Sequence, residues 1–170
     1  MAARIVANAP LTAERLRELL DYDPATGVFT WRVNRVAGWQ GKQGYRHIEI
    51  DGLGYLEHRL AWFHVHGSWP DIRLDHKDGV RSNNRLENLR LATSSQNTQN
   101  MSLPSDNTSG AKGVSFRRKS RKWEARIRVK GRLISLGAFD YLLDAARAYD
   151  AAAIKYFGEF AKTNKSMDLP

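Results

Sequence analysis

The sequence predicts an α+β chain built in two parts, on three observations. A compact cluster of a carboxylate, an imidazole and several carboxamides lies between Asp75 and Asn97. A polar, breaker-rich stretch, Met-Ser-Leu-Pro-Ser-Asp-Asn-Thr-Ser-Gly at 101–110, follows it. Beyond that stretch, apolar and cationic residues alternate with the period of a half-buried strand, and an alanine-rich helical pattern comes after them. The expected division is 1–100, a linker at 101–110, and a second unit at 111–165.

The elements follow in order. Residues 11–20 open with a helix, because Thr12 suits an N-cap and Leu16, Leu19 and Leu20 fall on one face. Asp23-Pro24-Ala25-Thr26-Gly27 is a turn, and 28–33 alternate like a strand. Residues 38–44 read as loop. Residues 45–50 and 53–56 form a hairpin about the Asp51-Gly52 turn. A short buried helix over 58–66 is stopped by Gly67 and Pro70. Strands are then expected to end at Leu74-Asp75-His76 and to resume at Leu89-Arg90-Leu91, with a polar loop between. Thr93-Ser94-Ser95-Gln96 has capping-box spacing, which puts Asn97 on a first helical turn, its carboxamide facing back towards the strand end.

In the second unit Trp123, Ala125, Ile127 and Val129 alternate with Glu124, Arg126, Arg128 and Lys130, so one sheet face is apolar and the other mostly cationic. Alternation places Trp123 in the core, not on a base-stacking surface. Gly131 turns the chain into Leu133-Ile134-Ser135-Leu136. A helix over 141–157 then turns Leu142, Ala145, Ala146, Tyr149, Ala152, Ala153 and Tyr156 inward. Three antiparallel strands and one packed helix result.

Composition sets the function classes. Apolar content of 42% with five Trp, six Tyr and six Phe supports a globular core in a chain of 170 residues. The absence of Cys excludes disulfides, thiol nucleophiles and Cys-built zinc sites, and fits a reducing cytoplasm. No apolar run approaches the roughly 18–20 residues that span a bilayer, so no membrane partner is expected. The net charge of +9 is unevenly placed: residues 1–110 hold thirteen Lys/Arg against twelve Asp/Glu, and residues 111–165 hold fourteen against five. A basic segment with interspersed aromatics is the footprint of a nucleic-acid binder, with a merely soluble basic surface as the bland alternative.

The central cluster has a chemistry of its own. Asp75 and the Asn97 carbonyl oxygen are hard ligands suited to Mg²⁺ or Mn²⁺, with water and substrate phosphate completing the shell. An imidazole such as His76 is the side chain best able to take a proton from water near neutral pH. Together these make a phosphodiesterase. On the residues alone, an Asp-His pair in a purely structural polar turn explains the pattern equally well. Neighbours in a regular strand also point to opposite faces, so Asp75 and His76 share a site only if the strand ends or bulges there.

Asp75-His76-Lys77-Asp78-Gly79, Asn84-Arg85-Leu86-Glu87-Asn88-Leu89-Arg90 and Asn97 closely resemble the HNH endonuclease motif, in the form found in phage homing endonucleases. The resemblance starts around the hairpin at 45–55 and ends near Asn100. It implies a ββα-metal nuclease unit in which His76 is the general base, Asn88 holds the loop, and Asp75 and Asn97 hold one divalent metal ion. The motif here ends in Asn97 instead of His, and a neutral carboxamide remains a competent ligand. Arg59 lies within the pattern as a phosphate contact, while His58, His64 and His66 are expected to be structural.

Lys112-Gly113-Val114, Lys122-Trp123-Glu124-Ala125-Arg126-Ile127, Leu136-Gly137-Ala138-Phe139 and Ala145-Ala146-Arg147-Ala148-Tyr149-Asp150 resemble the AP2 DNA-binding domain. That resemblance implies a three-stranded sheet lying in the major groove of double-stranded DNA. Arg117, Arg126 and Arg128 would be on the exposed face, with Lys112 and Arg132 nearby. The resulting expectation is a metal-dependent DNA endonuclease of the cytoplasm of a bacterial or phage-infected cell, with no protein partner implied. The rival class is a non-catalytic AP2-type regulator with a vestigial HNH fold.

Overall fold

The computed structural model describes residues 10–103 and 106–164. It is α+β, with four α-helices and several small antiparallel sheets among the described residues. Packing divides the chain between Ala92 and Thr93.

In the first unit Thr12 caps helix α1 (Ala13–Leu19), accepting a hydrogen bond from Arg15 N. Strands β1 (Leu20–Asp23), β2 (Val28–Trp31) and β3 (Arg35–Val36) form one sheet. A second sheet joins β4 (Trp39–Gln40), β5 (Arg46–Ile50) and β6 (Leu53–Leu56). Two of these strands, β3 and β4, fall where the sequence pattern predicts loop or no element. β3 and β4 are only two residues long, too short to display alternation, and β4 is held by pairing Trp39 with His47 and Gln40 with Arg46. The Asp51-Gly52 turn has positive φ at both residues, the geometry an Asn-Gly or Asp-Gly hairpin turn requires. Helix α2 (Glu57–His66) ends at Gly67, whose φ of 73° gives the left-handed cap.

Leu16, Leu20, Phe29, Ile48, Leu60, Phe63 and Leu89 share the core. Leu89 opens strand β8 (Leu89–Ala92), which pairs with β7 (Arg73–His76), so the core reaches the polar cluster directly. At Gly27 (φ 75°) an added Cβ would lie 2.4 Å from Arg85 N and 2.5 Å from the Asn84 carbonyl carbon. The β1–β2 turn therefore needs glycine to lie against the β7–β8 loop. Tyr22 Oη donates to Asn84 O at 2.7 Å and Leu86 N to Pro24 O at 3.0 Å across the same contact.

In the second unit helix α3 (Ser94–Asn100) carries the expected capping box between Thr93 and Gln96. It packs on the 3₁₀ turn Gly158–Phe160, and so goes with the residues after it, not with those before. Residues 107–111 form a bonded turn, in which Asn107 Oδ1 accepts from Gly110 N and Ser109 Oγ donates to Ala111 O. Strand β10 (Lys122–Val129) is central between β9 (Val114–Arg117) and β11 (Arg132–Phe139), all antiparallel. Helix α4 (Leu142–Phe157) lies across them.

Ala125 and Ile127 are buried with Ala145, Ala146, Tyr149, Ala152 and Ala153, and Trp123 packs on that core as alternation predicts. The β10–β11 register shifts at Ala125/Arg126, leaving Leu136 as the extra residue, so Ile134, Leu136 and Phe139 all reach the core side. Tyr156 departs from expectation. It is exposed, and the inner place belongs to Phe157, four residues after Ala153. No helix among the described residues is long and apolar enough to cross a membrane.

Candidate functional site

The β7–β8 hairpin brings together Asp75, His76 and Asn88, all buried. β7 ends at His76, and Gly79 N turns back to His76 O at 2.9 Å. Pairing is regular up to that end: Asp75 lies opposite Arg90 and His76 opposite Leu89. The two side chains accordingly find different partners. Asp75 Oδ2 accepts from Arg90 Nε at 3.0 Å and Nη2 at 2.9 Å, while His76 Nε2 lies 3.0 Å from Asn84 Oδ1.

Asn88 holds the loop. Its Oδ1 accepts from Asp78 N at 3.1 Å, and its Nδ2 donates to Asp78 Oδ1 at 3.0 Å and to Asn83 O at 2.8 Å. Asn83 Nδ2 closes the ring on Asp78 Oδ2 at 2.7 Å. Burial raises the Asp78 carboxyl, but these bonds and that from Val80 N outweigh it and hold Asp78 below the usual carboxylate range. Among these residues Asp78, Asn83, Asn84 and Arg90 were not singled out as site residues from the sequence.

Behind the loop, Glu57 is 1% exposed and pairs with Arg46 Nε at 2.8 Å. Burial pushes its carboxyl up, opposed by the Arg46 charge and by Asn84. His58, 6% exposed, meets the His76 ring edge-on at 5.1 Å. Burial, aided by the nearby His76, Arg59 and His47, pulls its pKa down to about 3. His58 thus stays neutral in the fold while the unfolded chain protonates it below its ordinary value of 6.5. The unfolded chain then binds more protons as pH falls from 6.5 towards 3, and stability falls with it. The expected loss at pH 5 from this group is about 2 kcal/mol. Urea midpoints of the wild type should drop between pH 7.5 and 5, and His58→Phe should flatten that drop; an equal slope in both would contradict the assignment.

Asn97 is half-buried in the first turn of α3, in the second unit. The Arg59 guanidinium sits 5.8 Å over the Trp69 ring. His64 packs against Tyr22 and Phe29, and His66 against Trp62. On the outer face of the second sheet Glu124 accepts from both Arg117 and Arg126, and these bonds hold its carboxyl below the usual range. Arg128 Nη1 donates to Gly131 O at 3.1 Å, and Arg132 is exposed. Lys112 is not on that face as a bare cation. Its Nζ donates to Gln99 O and Met101 O, both at 2.7 Å, closing the C-terminal end of α3. Burial, with the Lys162 charge, draws it down to about 8.

Residues 55–99 match the HNH endonuclease family and residues 109–159 the AP2 domain. Protein 3.8 of Escherichia phage T7 is 33% identical over 106 residues, covering 62% of this chain and 87% of that protein. The uncharacterized HNH endonuclease L560 of Acanthamoeba polyphaga mimivirus is 33% identical over 149 residues, covering 86% of this chain and 72% of that one. The chain belongs to the HNH endonuclease family. A solved structure of the HNH homing endonuclease I-HmuI, described for its DNA binding and cleavage, aligns at a TM-score of 0.40 and 23% identity, over 81% of this chain and 84% of that one.

Divalent metal is implied by the family. Among the described residues no group of three or more His, Cys, Asp or Glu could hold a metal ion. The hard carboxylate oxygens of a residue such as Asp75 suit an ion that keeps most of its water and binds substrate phosphate, as Mg²⁺ does.

Proposed function

We propose that the chain is a metal-dependent DNA endonuclease that hydrolyses phosphodiester bonds in double-stranded DNA. The observation that carries this reading is the buried strand end where Asp75 and His76 are held by a loop locked through Asn88 and Asp78. His76 takes a proton from water, whose oxygen forms the new bond to phosphorus as the bond to the departing ester oxygen breaks. Asp75 and Asn97 would hold the metal, which when bound stabilises charge on the phosphate and the departing oxygen. Incubation of plasmid with the protein and Mg²⁺ or Mn²⁺ should nick or linearise it, and EDTA should stop the reaction. Binding without cutting across metals and target sequences would favour a non-catalytic regulator.

The second unit supplies the address. Arg117, Arg126 and Arg128 present guanidinium groups on one sheet face, and such groups read guanine edges bidentately in a major groove, while Arg132, opposite Val129 at the strand end, is a candidate phosphate contact. Glu124 ties Arg117 to Arg126, so it sets their geometry at the cost of one positive charge. Lys112 serves by fixing α3, and Arg59 remains a candidate phosphate contact of the first unit. Arg128→Ala should weaken DNA binding by roughly 1–3 kcal/mol and relax sequence preference. An unchanged binding isotherm would remove this face from the interface.

A further inference from the structure

An arginine that grips a phosphate keeps its charge only if something other than a carboxylate holds it in place. We infer that Arg81 is a substrate-binding residue of the nuclease site, holding a DNA backbone phosphate beside the one that His76 serves; this rests on the nuclease reading above. In the first unit Arg15, Arg32, Arg46 and Arg90 each pair with a carboxylate. Arg81 pairs with none among the described residues, yet it is held on two sides.

The turn between β4 and β5 builds its seat. Gly44 N donates to Gly41 O at 2.9 Å, Gly41 N to Tyr45 O at 2.8 Å, and Gln40 Nε2 to Gly44 O at 3.2 Å. Arg81 Nη1 donates to Gln43 O at 2.9 Å, and its Cζ stands 4.9 Å over the Tyr45 ring. A Cβ added at Gly44 would lie 3.9 Å from Arg81 Cβ and Cδ, so the aliphatic stem runs along the turn. Seated on a ring face and a carbonyl, the exposed guanidinium keeps its charge and most of its N–H donors. The turn, Gln40-Gly41-Lys42-Gln43-Gly44-Tyr45, contains no acidic residue, and its exposed Lys42 adds a second positive charge towards a polyanion. The same Tyr45 ring meets the His76 ring at 6.1 Å and the His58 ring at 5.3 Å. Tyr45 thus joins the cation to the base. These ring contacts keep the guanidinium within about 11 Å of the His76 ring, a reach of about three phosphates at roughly 3.4 Å of helix axis each. A DNA strand lying on the turn therefore offers one phosphate to Arg81 and a nearby one to the end of β7.

The test is binding of the full chain to a linear duplex of plasmid sequence, in EDTA, over a range of KCl concentrations. Arg81→Gln can still donate to Gln43 O but carries no charge, and Arg81→Lys restores the charge. The expected plot of log K against log [KCl] is shallower than that of the wild type by about 1 in Arg81→Gln and has the wild-type slope in Arg81→Lys. Plasmid cleavage in Mg²⁺ should fall in Arg81→Gln and recover only in part in Arg81→Lys, whose ammonium lacks the planar face that stacks on Tyr45. A wild-type slope in Arg81→Gln overturns the inference, because a residue that only joins the two loops neutralises no phosphate. A shallower slope that Arg81→Lys fails to restore overturns it as well. If the slopes change as expected but the wild type cuts no plasmid in Mg²⁺ or Mn²⁺, the phosphate contact stands and the nuclease reading fails instead.

Discussion

His76→Ala is expected to lower the cleavage rate by about 10²–10⁴-fold, the usual worth of a positioned general base, while DNA binding stays nearly intact. The separation follows from where the groups lie. His76 is buried at the end of β7 in the first unit, and the arginine face is on the second sheet. The ring also packs edge-on against His58, so some loss of stability accompanies the change, and rates should be compared where both proteins are folded. Single-turnover cleavage and a binding isotherm on the same duplex check this. Loss of binding to the same degree as cutting would count against His76 as the base.

Arg90→Ala should be the most damaging change to the stability of the first unit among the site residues. Arg90 and Asp75 have side chains only 9% and 7% exposed, and two N–H groups of the guanidinium meet one carboxylate oxygen. Removing the cation strands a buried carboxylate, which costs about 3–5 kcal/mol where one member of a buried pair is deleted. Urea unfolding in EDTA measures it. The double variant Arg90→Leu with Asp75→Leu should recover much of the loss, because no uncompensated charge remains. A single-variant loss under about 0.5 kcal/mol, the size of an ordinary surface change, would show that the pair is not buried in solution.

Much of the fold was legible because periodicity and punctuation agree. Thr12 and Thr93 cap helices, Asp51-Gly52 turns a hairpin, and the alternation around Ala125 and Ile127 separates core from cationic face. Two-residue strands such as Trp39–Gln40 carry no period and owe their existence to a neighbour. Tyr156 was placed inward because helical spacing cannot distinguish it from Phe157 at a helix end. Within the site, the consecutive Asp75-His76 and the loop-holding Asn88 could be read from the motif. The Arg90 partner was also within reach: in a hairpin that pairs His76 with Leu89, Asp75 must face Arg90. The Tyr22–Asn84 link could not be read, because the two lie 62 residues apart and meet only through tertiary packing. The bonds of Lys112, placed near DNA by the AP2 resemblance, to Gln99 O and Met101 O likewise depend on packing that no local pattern displays.

Cleavage of a randomised duplex library in Mg²⁺, with cut ends mapped on both strands and bound molecules sequenced in parallel, tests the central claim most directly. The expected result is cut ends that vanish in EDTA and lie at a constant offset from an enriched sequence bound by the second unit. An enriched bound sequence with no cut ends in Mg²⁺ or Mn²⁺ would contradict it.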